Sequence, residues 1–338
     1  LPVRLKDIAK DLGVSVVTVS KVLRGHSDIS AQTRERVLNR MKELNYRPNL
    51  AARALVTGRT SAMGLVVPDL VHPFFAQVAK GVSTVLREHH YSLFIASSEE
   101  DEKLERQEID QLLERRVDAL LVASAQPSPE ALRRAASQQA PCIFIDRRFP
   151  ALEGHFIGCD DARVGELATR HLAAQGCRRI AHIRGPEVST ALGRLTGYQR
   201  ALSALRLPPG PVVVGRTADN AGDVSGAEAM RELLQLDVRP DGVFCYNDPV
   251  ALGAMTAIFE AGLRIPEDIA VVGCGNVPFD TVLRVPLTSV DQSSEELGAR
   301  AGRLALELLG ARRPAAFETI LVEPRLVERA SSLRRAGR

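Results

Sequence analysis

Hydroxyl and ammonium groups follow one another at Ser15, Thr18, Ser20 and Lys21. They lie in a stretch, residues 1–60, that carries 12 Lys/Arg against 5 Asp/Glu. Donors of this kind suit phosphate oxygens and base edges of nucleic acid. The other 278 residues carry 32 Lys/Arg against 36 Asp/Glu, so the formal charge of +3 hides a basic head on a mildly acidic body. A solvated basic face without a partner would give the same count, so the elements that carry these residues must decide.

Catalytic spacing is absent from the sequence. The chain has no phosphate-binding P-loop, and Gly273-Cys274-Gly275 lacks the third glycine of a dinucleotide fingerprint. Ser225 stands in VSG with Asp223 two residues before it, which is no nucleophile elbow. Seven histidines show no HExxH or paired spacing. The five cysteines, Cys142, Cys159, Cys177, Cys245 and Cys274, are scattered in apolar sequence and read as buried free thiols. A non-enzyme without metal or cofactor is expected.

The head reads as helices. Leu5, Ile8, Ala9 and Leu12 form one apolar face at helical period. Gly13 ends that helix, and Ser15 caps a second, with Val16, Val19, Val22 and Leu23 as its apolar candidates. Two helices separated by three residues must cross steeply, as in a helix-turn-helix, although any small helical hairpin shows the same pattern. A third helix is expected from the cap Ser30 to Leu44, with Val37, Leu38, Met41 and Leu44 apolar. Tyr46-Arg47-Pro48 breaks it, and a short helix over 50–56 follows the cap Asn49.

From Ala62 short apolar runs alternate with amphipathic stretches. Strands are expected at 63–67, 92–96, 119–122, 142–145, 179–183, 212–214, 242–245 and 269–272. Helices are expected at 75–89, 103–115, 129–138, 164–175, 194–205, 226–236 and 249–261. This alternation predicts two α/β lobes of doubly wound parallel sheet, with a cleft at the carboxyl ends of the strands. At 45% hydrophobic and 25% charged the composition is that of an ordinary globular protein. No apolar run reaches the roughly 18 residues of a membrane span, and charges interrupt the apolar residues from Leu5 onward. A cytoplasmic protein is therefore expected, with no membrane partner.

Several motifs together resemble the lactose-repressor (LacI/GalR) family of bacterial transcription regulators. They are VSVVTVSKVL at 14–23, TRERVL at 33–38, YRPN at 46–49, AARAL at 51–55 and PDLVHPFF at 68–75. YNDPVALGAM at 246–255, GLRIPEDIAVVG at 262–273 and LTSVDQ at 287–292 complete the set. Their order covers Leu5 to about Val327. The resemblance implies an N-terminal all-α helix-turn-helix head (1–48), a hinge helix and linker (49–60), and a periplasmic-binding-protein-like effector domain (61–327). Its N-subdomain would be about 61–161 and 291–327, its C-subdomain about 162–290.

The resemblance further implies a homodimeric or tetrameric repressor of a pseudo-palindromic double-stranded operator; the tail SSLRRAGR has no tetramerising heptad repeat, so a dimer is expected. Ligand between the lobes would set whether paired hinge helices can enter the minor groove. Val16, Val17 and Lys21 match its specificity positions. The valines can offer only apolar contact, and Lys21 a single ammonium for guanine O6/N7. Thr18 and Ser20 suit phosphates, Arg24 either adds a phosphate contact or is simply solvated, and Ser15 completes the DNA-binding set. Asn49 and Arg53 accompany Leu55, which matches the hinge leucine that wedges into a minor-groove step.

In the cleft the resemblance implies Phe74, Asp146, Thr190, Arg194, Asn247, Asp248, Asn276 and Gln292. Asn247 or Asp248 would cap the helix at Pro249, with capping as the competing role for Asp248. Phe75 reads as core. In VGCGNVPFD, Gly275 stands where the family usually carries a sugar-binding aspartate. Either Asn276 or Asp280 substitutes, or the effector lacks the hydroxyl pair. A sugar derivative, a nucleobase and a small acid are all open as effector. Control by a protein partner, or a solute-binding protein, are the alternatives to an effector-controlled regulator.

Overall fold

A computed structural model describes residues 3–23, 26–46, 54, 58–126, 132, 140–149, 152–215, 222–311 and 316–334. It divides into two units, Leu1–Thr60 and Ser61–Arg338. The helices expected over 50–56 and 129–138 lie almost wholly outside the described residues.

In the first unit, α1 (Leu5–Leu12) stops at Gly13, whose φ of 65° places it in the left-handed region. Ser15 accepts from the Thr18 amide at 3.0 Å and starts α2 (Val16–Leu23). Ser30 accepts from the Thr33 amide and starts α3 (Ala31–Glu43). Ile8, Ala9, Val19, Val22, Val37 and Met41 form the core of the bundle. Val16, Leu23 and Leu38, expected on apolar faces, are exposed instead. Each sits next to the buried stripe rather than on it, because three short helices cover only part of one another's surface.

The second unit holds two six-stranded sheets. The first runs β2-β1-β3-β4-β5-β11: β1 (Ala62–Val67), β2 (Ser92–Ser97), β3 (Ala119–Val122), β4 (Cys142–Ile145), β5 (His155–Cys159) and β11 (Thr319–Val322). The second runs β7-β6-β8-β9-β10-β12: β6 (Ile180–Arg184), β7 (Val212–Val214), β8 (Gly242–Cys245), β9 (Ala270–Cys274), β10 (Thr288–Asp291) and β12 (Arg325–Val327). All pairs are parallel except β10 with β12. Register sets Leu65 beside Leu121 and Ile183 beside Cys245. Strands such as β3, β4 and β8 are buried along their whole length, as parallel strands covered on both faces must be. The alternation did not reveal β5, β10, β11 and β12.

The helices are α4 (Pro73–Glu88), α5 (Glu102–Glu114), α6 (Asp161–Ala174), α7 (Ser189–Ala204), α8 (Gly222–Leu234), α9 (Asp248–Glu260) and α10 (Ser294–Gly310). α4 and α10 pack in the first lobe, α6 with α7 and α8 with α9 in the second. α4 and α10 approach so closely that a Cβ on Gly298 would stand 2.0 Å from the Val78 carbonyl oxygen. All five cysteines are buried and unbridged.

The chain passes between lobes three times: at residue 160, at 292–293, and between β11 and β12. The last passage corrects the expected boundary. Residues 325–327 pair with β10, and Ser331 and Ser332 hydrogen-bond to Val271 and Thr288, so this segment belongs to the second lobe rather than the first. Among the described residues, no helix is long and apolar enough to cross a membrane.

Candidate DNA-reading surface and effector cleft

On the head, the first turn of α2 leaves Val16 45% and Val17 60% exposed. Apolar side chains beside donors, left in water, are what a groove-reading helix needs for thymine methyl contact. Ser15 and Thr18 hydroxyls bond each other at 2.9 Å, and Ser20 is partly buried. Lys21 is partly exposed and ion-paired with Asp28, a partner the sequence reading did not foresee. Arg24, Asn49, Arg53 and Leu55 lie outside the described residues.

In the body, a cavity of about 310 Å³ lies between the lobes, at the carboxyl ends of the strands. Both sheets reverse their strand order there, at β1/β3 and at β6/β8. From the first lobe, the loop after β1 brings Asp69, His72 and Phe74. His72 caps α4, its Nδ1 accepting from the Phe74 amide at 3.3 Å. Phe74 and Phe75 meet edge to face at 5.0 Å, and both serve the core while showing an edge to the cleft.

After β4 come Asp146, at φ 63°, and Arg147. Arg147 is gripped by both Glu100 oxygens, at 2.6 and 2.8 Å. Burial pushes the Asp146 carboxyl up, against the pull of Arg194 and Arg147.

From the second lobe, Arg194 donates from Nε to Asp161 at 2.9 Å and from an Nη to the Tyr246 carbonyl at 2.6 Å. Its guanidinium lies 4.7 Å from the Tyr246 ring centre. Asn247, not Asp248, caps α9: its Oδ1 accepts from the Val250 amide at 2.9 Å. That bond fixes the Asn247 Nδ2 as the donor that faces His72 Nε2 across the cleft at 3.1 Å.

A neutral imidazole has one acceptor nitrogen, so His72 cannot accept from Phe74 and from Asn247 at once. While it caps α4, Nε2 carries the proton, and two donors from opposite lobes converge. Burial, with Arg147 and Arg194 nearby, pushes His72 down to about 4, which keeps the ring neutral. Gln292 accepts from the Cys274 thiol at 3.4 Å, and its buried Nε2 has no hydrogen-bond partner among the described residues. Among the described residues, no His/Cys/Asp/Glu group could hold a metal ion.

Of the expected ligand residues, Phe74, Asp146, Arg194, Asn247 and Gln292 therefore meet in the cleft, and three do not. Thr190 is buried behind it, bonded to the Tyr246 hydroxyl at 2.8 Å. Asp248 is fully buried, accepting from the Ser289 hydroxyl at 2.7 Å and the Val277 amide at 3.2 Å. Asn276 accepts from Arg329 at 2.6 Å.

Gly275 has φ 136°, and a Cβ there would stand 2.8 Å from Asp248 Oδ2. Neither Asn276 nor the fully buried Asp280 stands in for a sugar-binding aspartate. Burial and the adjacent Asp248 push the Asp280 carboxyl up, against the pull of Arg329. His72, Arg147, Tyr246 and Phe279 also line the cleft and were not foreseen. His72 stood before Pro73 as a cap, and Arg147 beside Asp146 at a strand end; those were the available signals.

Residues 4–49 match the family described as bacterial regulatory proteins, lacI family, and residues 169–332 match a periplasmic binding protein-like domain. The HTH-type transcriptional regulator GalR of Salmonella typhimurium (strain SL1344) is 36% identical over 329 residues, 97% of this chain and 95% of that protein. The ribose operon repressor of Escherichia coli (strain K12) is 34% identical over 311 residues, 90% of this chain and 91% of that protein. A crystal structure of the lac repressor dimer bound to operator and the anti-inducer ONPF aligns with TM-score 0.88 at 28% identity, covering 99% of this chain and 100% of that one.

Proposed function

The chain belongs to the lacI family of bacterial regulatory proteins, and from that premise we propose that it is a homodimeric repressor of a pseudo-palindromic operator, released or tightened by a neutral sugar or sugar derivative. The relatives are transcription regulators, and the lac repressor structure is a dimer on its operator. The edge strand β2 leaves Phe94 and Ile95 more than two-fifths exposed, apolar surface of the kind a second copy covers. Val16, Val17 and Lys21 read base edges, while Ser15, Thr18, Ser20 and Arg24 hold phosphates. Asn49, Arg53 and Leu55 serve the hinge.

The observation that carries the effector class is the balance of charge in the cleft. Arg147 is neutralised by Glu100 and Arg194 by Asp161. A small acid therefore meets no uncompensated cation. What is left is a mixture of donors (His72 Nε2, Asn247 Nδ2, Gln292 Nε2) and the Asp146 acceptor, beside the edges of Phe74 and Phe75. Hydroxyl groups both donate and accept, and an apolar wall suits a sugar face. Converging polar groups in a concave cleft between the lobes favour a small molecule over a protein partner.

Selection of bound duplexes from a random pool, with and without a panel of sugars, tests this reading. A two-fold symmetric sequence whose retention changes with one sugar is expected. An asymmetric site, or a symmetric one indifferent to every sugar while an organic acid shifts it, would overturn the dimer or the effector class respectively.

A further inference from the structure

The ion pair between Lys21 and Asp28 has no part in the function set out above. Lys21 lies one helical turn after the exposed Val17. Asp28 lies in the turn before α3, two residues ahead of the Ser30 cap. Its carboxylate accepts from Lys21 Nζ, and that lysine holds the Asp28 carboxyl below its ordinary range. The side chains are 36% and 53% exposed, and open pairs of this kind add little to folding. Ser30 already caps α3, so the helix start does not need Asp28. On DNA the carboxylate is a burden, since it brings negative charge to a polyanion and occupies the ammonium that should meet it.

We propose that Asp28 is a specificity-determining residue of the DNA-reading head, one that competes with DNA for Lys21 and yields it to a matched base edge more readily than to a lone phosphate. The inference rests on the DNA-reading role of α2 proposed above. A phosphate offers Lys21 only the negative charge that Asp28 already supplies, and repels the carboxylate. Guanine O6 and N7 offer two acceptors without net charge. An ammonium has three donors, so it can serve the base and keep one hydrogen bond to Asp28. Binding to unrelated sequence is therefore weakened more than binding to the operator, and specificity is that difference.

The test uses the full chain, the operator selected from the random pool and a duplex of unrelated sequence. Asp28→Asn keeps the shape and removes the charge. It is expected to tighten binding to the unrelated duplex about three- to tenfold and to steepen its salt dependence by about 0.9, one phosphate equivalent. The operator should tighten less than about twofold by the same salt logic, so the specificity ratio falls. Asp28→Ser should repeat the result if the asparagine disturbs the turn. Glu35→Gln, the same charge change at an exposed position of α3, should move both duplexes alike. In a Lys21→Met background, Asp28→Asn should move both duplexes alike and leave the specificity ratio unchanged. An unchanged ratio, an equal fall in Glu35→Gln, or a fall in the ratio that survives Lys21→Met overturns the proposal. Wild-type protein that selects no sequence overturns the DNA-reading role and this inference with it. Wild type that selects one while Asp28→Asn leaves the ratio unmoved overturns Asp28 alone.

Discussion

Arg194 is held by its own lobe and, in the proposed function, also serves the ligand. Asp161 and the Tyr246 carbonyl fix its fork, and the cleft takes what remains. Arg194→Lys keeps the charge but loses the fork. We expect effector affinity to fall about ten- to hundredfold, the range of a lost charge-assisted hydrogen bond. Operator affinity without effector should stay within about twofold, since that charge lies in the body and not on the reading head. Calorimetric titration with the selected sugar, beside an operator titration, separates the two.

His72 gives a prediction in pH. Its folded pKa of about 4 lies below the 6.5 of an unfolded histidine. Between those values the unfolded chain binds more protons, so the His72 contribution to stability is complete above about 6.5 and is lost as pH falls toward 4. Buried acids such as Asp280 act with the opposite sign, so the difference between variants is the cleaner measure. Relative to wild type, His72→Asn should lose less stability over this window, by up to about 1.4 kcal/mol per pH unit. Parallel denaturant titrations would show it; curves that fall together would refute it.

Residue identities were legible where position alone decides. Phe74 and Asp146 follow strands that the sequence shows, and the carboxyl end of a parallel strand faces the cleft whatever the details, whereas Gln292 follows β10 and was indicated by the resemblance alone. The sequence could not choose between neighbours. Asn247 and Asp248 can each cap a helix, and only the register of α9 shows that asparagine does so and sends the aspartate inward.

Among the elements, the head helices and central strands were legible because buried stripes repeat at 3.6 residues and central parallel strands are short apolar runs. β10, TSVD, is too polar and β12, RLV, too short to stand out; β10 exists because β9 offers an edge to pair with, and β12 because β10 does. The contact of α4 with α10 was equally silent, since a glycine inside a helix announces nothing about what approaches it. Gly298→Ala should cost about 1–3 kcal/mol by overpacking. Gly310→Ala, with nothing within 4 Å of its would-be Cβ, should be neutral or slightly stabilising. Equal effects in chemical denaturation would show that the two helices can separate at no cost.

For the molecule as a whole, the two units draw on separate cores. Among the described residues, six buried side chains with seven partly buried ones packed against them form the core of the head, a size at which a free bundle is marginal. Ile8→Ala removes about 2–5 kcal/mol from that core, more than so small a bundle can lose. The variant should fail to hold operator, yet bind effector with unchanged affinity. A loss of effector binding would show that the body depends on the head.

The three passages of backbone between the lobes have a mechanical consequence. Two of them are laced together, since Asp291 holds the Ser293 amide at 2.7 Å and the Arg325 guanidinium at 2.8 Å. A single tether would let one lobe swivel freely about the other. Three side by side resist twist and shear and leave bending as the soft direction. Whatever enters the cleft then acts along one coordinate, the opening angle, and molecules of different shape can be reported as more or less of the same motion.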